Sequence, residues 1–80
     1  MNHYVQLGLF AKENSVEIAS RIAARHQITL HVDPVEVKGR LFQRLRCGPY
    51  RTREEAQTAM AVLNEIFQVD SILAAIPAGP

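Results

Sequence analysis

Between Leu41 and Cys47 the side chains alternate in type. Phe42, Arg44 and Arg46 fall on one parity, and Leu41, Leu45 and Cys47 on the other. A period of two sends such sets to opposite faces of a strand. The pattern therefore predicts a strand that buries one side and shows an aromatic and two guanidinium groups on the other. Gly48-Pro49 is expected to stop it, because Pro donates nothing to a ladder and Gly permits a sharp turn. Thr52-x-x-Glu55 then reads as a capping box. It opens a helix over about Arg53 to Phe67 with Ala56, Ala59, Met60 and Leu63 on its buried stripe.

The same unit is written earlier in the chain. Tyr4 to Leu9 is an apolar strand, with Val5 and Leu7 on one face and Tyr4 and Gln6 on the other, and Gly8-Leu9-Phe10 repeats the Gly-x-aromatic of Gly48-Pro49-Tyr50. A helix follows over about Glu13 to His26. Val16, Ala19, Ile22, Ala23 and His26 recur at three- and four-residue steps as a core stripe, while Glu17, Arg21 and Arg25 face out. Ile28 to Val35 forms a second strand, with Ile28, Leu30 and Val32 inward, and Pro34 places it at a sheet edge. Lys38-Gly39-Arg40 turns the chain into the third strand, and Asp70 to Ile76 makes a short apolar fourth. Two copies of strand–turn–helix–strand, about forty residues apart, are too few for a solenoid. They fit one α+β domain of the βαββαβ, ferredoxin/RNP-like kind, a four-stranded antiparallel sheet with both helices on one face. Its central strands are the first and third. The other face is open, and alternation alone lines it with Gln6, Thr29, His31, Phe42, Arg44, Arg46 and Ile72. Such a surface suits a flat, polar, extended ligand.

Composition narrows the function. Eighty residues, 48% of them hydrophobic, make one ordinary globular domain near the lower size limit for a core without staples. The formal charge of +1 gives no field of the kind that drives bulk nucleic-acid binding. A single cysteine excludes an internal disulfide and a multi-cysteine metal site, and Cys47 reads as a small buried hydrophobe. His3, His26 and His31 have no metal-binding spacing, so neither metal nor cofactor is expected. No apolar run reaches the roughly 18 residues that cross a bilayer, so the domain itself is expected to make no membrane contact. The chain starts almost at its first strand and ends in Pro77-Ala78-Gly79-Pro80. The expectation is a module excised from a longer protein, with residues 76–80 as a terminal tail.

No nucleophile–base pair or carboxylate pair can be placed on the open face, where Asp33 is the one candidate acid, so an enzyme is not expected. RNA-recognition domains share this topology with aromatics on the central strands. The third strand here lacks their Lys/Arg-Gly-aromatic-Gly/Ala-aromatic signature. A small-ligand or oligomerisation module of the same topology is the other alternative, because fold does not dictate function.

The two units together, Tyr4 to Phe10 and then Phe42 to Tyr50 with Thr52-Arg53-Glu54-Glu55-Ala56, resemble the SPOR (sporulation-related repeat) domain over nearly the whole chain. The resemblance implies a monomeric, non-catalytic module of bacterial envelope proteins. Such a module binds peptidoglycan in the periplasm, prefers glycan strands stripped of stem peptides, and gathers its parent protein at the division septum. It also implies a glycan site on the open sheet face. The family's strand-one Gln falls on Gln6, its strand-three aromatic on Phe42, the Arg two residues on at Arg44, and an apolar strand-four position on Ile72. Arg46 extends the same row. Leu9 belongs to the same implied glycan site and stands where the family often has Ser or Ala, removing a hydroxyl contact; His26-Gln27 replace the Gly many members carry before strand two.

Overall fold

The computed structural model describes residues 1–77; the expected tail residues 78–80 lie outside them. Six elements make up the chain in order: β1 (Asn2–Phe10), α1 (Glu13–Arg25), β2 (Leu30–Val37), β3 (Arg40–Tyr50), α2 (Arg53–Phe67) and β4 (Ile72–Ile76). The sheet order is β2-β3-β1-β4, with every neighbouring pair antiparallel. The βαββαβ fold and its central strands are therefore as the sequence pattern implies. Pro34 does sit on an edge strand.

Both helices pack on one face. Val5, Leu7, Leu45 and Cys47 from the central strands meet Ala19 and Ala23 of α1 and Ala56, Leu63 and Phe67 of α2, and all are buried. Alanines at the helix contacts let both helices approach the sheet closely. At the start of α2 the Thr52 hydroxyl accepts from the Glu55 amide at 3.1 Å. The Glu55 carboxylate reaches back to the Arg51 amide at 3.2 Å, one residue beyond the usual capping-box partner.

Several expectations need correcting. β3 does not stop at Gly48-Pro49 but continues to Tyr50. Pairing with β2 has already ended at Leu30↔Cys47, so the missing N–H of Pro49 costs no ladder bond on that side. Ile76 belongs to β4 rather than to a tail. His26 is exposed and only caps α1, so the core stripe ends at Ala23. Ile28 and Thr29 precede β2 instead of opening it. Leu41 has core-face parity yet is 62% exposed, at the margin of the helical layer where it lines a recess with Ala11, Glu13 and Val16.

The duplication runs deeper than the motifs. Each helix ends on a glutamine with positive φ, Gln27 and Gln68, both at 56°. In each case the next amide folds back on the helix, Ile28 N–H to the Ala23 carbonyl at 2.8 Å and Val69 N–H to the Asn64 carbonyl at 3.1 Å. This is the Schellman arrangement, here built without glycine. Each Gly-x-aromatic is likewise a β-bulge. Register shifts occur between Gln6 and Gly8 on β1, and on β3 opposite the His3–Val5 step, where Gly48 and Pro49 lie. Gly8 and Gly48 have φ of 153° and 131°, a region open to glycine. Each bulge reverses the facing of the residues beyond it, so Phe10 and Tyr50 tuck against the core.

Candidate functional site

The face opposite the helices is laid out by register. One row across the sheet runs Ile72, Gln6, Arg46 and His31, since Ile72 pairs with Gln6, Gln6 with Arg46 and Arg46 with His31. The next row runs Leu9, Arg44 and Asp33. Phe42, opposite Val35, closes the face at the hairpin end. Leu9 has the parity of Val5 and Leu7 and would be buried in a regular strand. The Gly8 bulge turns it over beside Arg44, where it is 41% exposed. Ile72 is 57% exposed. Thr29, just ahead of β2, lies beyond the end of the sheet beside Gly48 and Pro49. The structure thus brings Gln6, Leu9, Phe42, Arg44, Arg46 and Ile72 together on one uncovered surface.

That surface is pre-arranged. Arg44 donates from Nε at 3.0 Å and Nη2 at 2.7 Å to Asp33 Oδ2. Arg46 donates from Nη2 to Asp33 Oδ1 at 3.2 Å. One carboxylate therefore holds two guanidinium groups. Burial acts to raise the Asp33 carboxyl, but the Arg44 hydrogen bond and the charges of Arg46 and Arg44 outweigh it and hold it below its ordinary value. The Arg46 guanidinium lies over the Tyr4 ring, 4.5 Å from its centroid, a cation–π geometry. Tyr4 in turn meets the His31 ring edge-on at 5.9 Å, and His31 Nε2 lies 3.0 Å from the Gly48 carbonyl. Covered in this way, the Arg46 side chain is only 14% exposed, against 34% for Arg44. Its Nε is sealed from solvent without a hydrogen-bond partner among the described residues. Arg44 is thus the more available cation, and Arg46 is largely framework. At the hairpin end Arg40 lies over Phe42 at 5.3 Å.

Tyr4 and Asp33 complete the site and were not among the expected contacts. Tyr4 shares the facing of Gln6, so alternation already placed it. Asp33 could have been found by arithmetic. If Lys38-Gly39 is read as a two-residue hairpin turn, paired residues sum to 77 and Asp33 falls opposite Arg44, as observed.

The open face is shallow. A groove of about 770 Å³ lies instead on the helical side, lined by Ile28, Tyr50, Glu54, Ala59, Val62 and Ile66 among others. A flat face with standing side chains suits a polymer lying across it better than an engulfed small molecule. Cys47 is fully buried and its thiol is pushed up to about 11 by burial, so it offers no nucleophile. Among the described residues no group of three or more His, Cys, Asp or Glu is placed to hold a metal ion. No helix there is long and apolar enough to cross a membrane.

Comparison with known proteins bears on this geometry. The family described as SPOR domain matches residues 2–74. The fold superposes on the crystal structure of the RlpA SPOR domain from Pseudomonas aeruginosa with a TM-score of 0.75 at 17% identity, covering 92% of this chain and 99% of that one. A putative exported protein from Burkholderia pseudomallei K96243 gives a TM-score of 0.67 at 22% identity. There the match covers 91% of this chain and only 15% of the other protein. At those identities the two structures speak for the fold. The search of curated proteins finds no match.

Proposed function

We propose, from the premise that this chain belongs to the SPOR domain family, that it is a non-catalytic peptidoglycan-binding module whose ligand is a glycan strand lying across the open sheet face. Family membership supports the peptidoglycan module. The observation that carries the finer reading is the stripe of Phe42, Arg44 and Arg46 along β3, flanked by Gln6, Leu9 and Ile72 on one uncovered surface.

The chemistry matches term by term. The apolar face of a sugar ring packs on an aromatic such as Phe42 or an aliphatic such as Leu9 or Ile72. Acetamido and hydroxyl groups need fixed donors and acceptors, which Gln6 and Arg44 supply. Removing a stem peptide exposes the lactyl carboxylate, one per disaccharide, and gives room for a flat surface to approach the chain. Arg44 spends two of its five N–H donors on Asp33 and keeps the rest for such an anion. Preference for stripped strands follows, and with it recruitment of a parent protein in the periplasm to the division site, where amidases act.

The test is pull-down of the isolated domain on sacculi with and without amidase treatment. Phe42→Ala and Arg44→Ala should each weaken binding to treated sacculi about tenfold or more, on the order of 1–2 kcal/mol, with melting behaviour retained. Arg21→Ala, on the exposed side of α1, should change nothing. Parent-like binding by both face variants would overturn the site.

A further inference from the structure

Asp33 is difficult to explain as a stabilising residue. Its pairs with Arg44 and Arg46 are about one-third exposed on the carboxylate side, and ion pairs of that kind contribute roughly 0–1 kcal/mol. Its effect on the surface is larger. Arg44 and Arg46 stand two apart on one face of β3, and the hairpin register sets a single carboxylate between them. Two cations and one anion leave a single net positive charge in the cluster. The same contacts fix where the remaining Arg44 donors point.

We propose that Asp33 is the specificity-determining residue of the open face, cancelling one guanidinium charge and fixing the other so that the surface takes a strand with one isolated carboxylate per repeat and rejects dense polyanions. The proposal rests on the glycan reading above and adds the discrimination. A nucleic acid carries a phosphate at every nucleotide, and its affinity grows with each cation that neutralises one. The sheet otherwise has what a single-stranded nucleic acid uses, with Tyr4 and Phe42 on the open face beside arginines on central strands. A neutral residue at position 33 would leave Arg44 and Arg46 both uncancelled, beside the Arg40 guanidinium that already lies over Phe42. Specificity of this kind comes from an element that disfavours the wrong partner.

The experiment compares the parent, Asp33→Asn, Asp33→Glu, Arg44→Gln and a charge-matched control, Glu17→Gln on α1, against amidase-treated sacculi and against poly(U), each at two salt concentrations. Asp33→Asn is expected to gain at least tenfold in poly(U) affinity at low salt, with a steeper salt dependence, and to lose severalfold on treated sacculi as the guanidinium groups are released. Asp33→Glu keeps the charge and should still reject poly(U), while losing part of the sacculus affinity because the longer side chain cannot hold both arginines in place. Arg44→Gln and Glu17→Gln should gain nothing on poly(U). Asp33→Ser makes the same charge change and is read if Asp33→Asn does not fold. No gain on poly(U) by either neutral variant, or an equal gain by Glu17→Gln, overturns the proposal. Failure of the parent to bind treated sacculi would instead overturn the glycan reading and leave the poly(U) comparison to decide the role of Asp33.

Discussion

Gly48→Ala should damage this domain far more than its small size suggests. The residue sits at φ 131° in the β3 bulge, a conformation that L side chains rarely adopt and that costs of order 1–3 kcal/mol when forced. A Cβ there would stand 3.0 Å from the His3 carbonyl oxygen, 3.1 Å from the Tyr4 ring and 3.3 Å from the Tyr50 ring. The first of these is backbone of a central strand and cannot turn aside, so overpacking adds roughly 1–3 kcal/mol. The sum, about 2–6 kcal/mol, compares with a total of roughly 4–12 kcal/mol for a domain of this length. Gly39 provides the comparison. Its φ is 80°, but nothing lies within 4 Å of an added Cβ, so Gly39→Ala should cost only the backbone strain, about 1–2 kcal/mol. Urea unfolding followed by circular dichroism measures both. At about 4–8 °C per kcal/mol, Gly48→Ala should lower Tm by roughly 8–48 °C. Residual folded protein should bind sacculi poorly, since pushing Tyr4 disturbs Arg46 and loss of the bulge geometry moves the carbonyl that His31 faces. Equal destabilisation by the two substitutions would refute the claim that close approach of the strands sets the bulge.

Two further outcomes rest on ionisation. Burial pushes the Cys47 thiol up to about 11, so at pH 8 it stays protonated and should not react with Ellman's reagent until urea unfolds the chain; rapid labelling of native protein would show that the β1–β3 core is open. The Asp33 carboxyl is lowered in the fold, so its contribution is present above the ordinary carboxylate value and lost as pH falls through the folded one. The stability difference between parent and Asp33→Asn, at most about 1 kcal/mol, should therefore shrink towards zero as pH falls below the ordinary carboxylate value, and a difference growing with acid would contradict the assignment.

Much of the fold was legible because period two and period 3.6 rarely imitate each other over whole elements. The start of α2 and the edge position of β2 are written in Thr52 and Pro34. What escaped was wherever periodicity is interrupted without a composition signal strong enough to say how. Alternation gives Leu9 the parity of the core residues, and the resemblance alone placed it at the site; the register shift at Gly8 is what exposes it. By pattern α1 runs on to His26, because Gln27 carries the left-handed turn that a glycine would have announced. Leu41 alternates correctly yet is exposed, since a strand pattern is silent about how far the covering helices reach. The Asp33 ion pairs were hidden behind a turn read one residue too long.

The duplication gives an internal reason to look for function on the open face. Shifting the first unit by forty residues aligns Val5 with Leu45, Leu7 with Cys47, Gly8 with Gly48 and Phe10 with Tyr50. Every one of those pairs keeps its type, and every one serves the frame, as core strand residue, bulge glycine or tucked aromatic. The open-face positions between them do not match: Asn2 aligns with Phe42, Tyr4 with Arg44 and Gln6 with Arg46. The fold therefore accepts an amide, an aromatic or a guanidinium at geometrically equivalent sites, and packing alone does not select among them. What distinguishes the two halves is that β3 has gathered the cations and β2 sets Asp33 beside them, while β1 supplies the amide and the ring they lean on. A frame that is nearly twofold in its core and one-sided on its exposed face suits a polymer with two different ends, as the proposed glycan strand has.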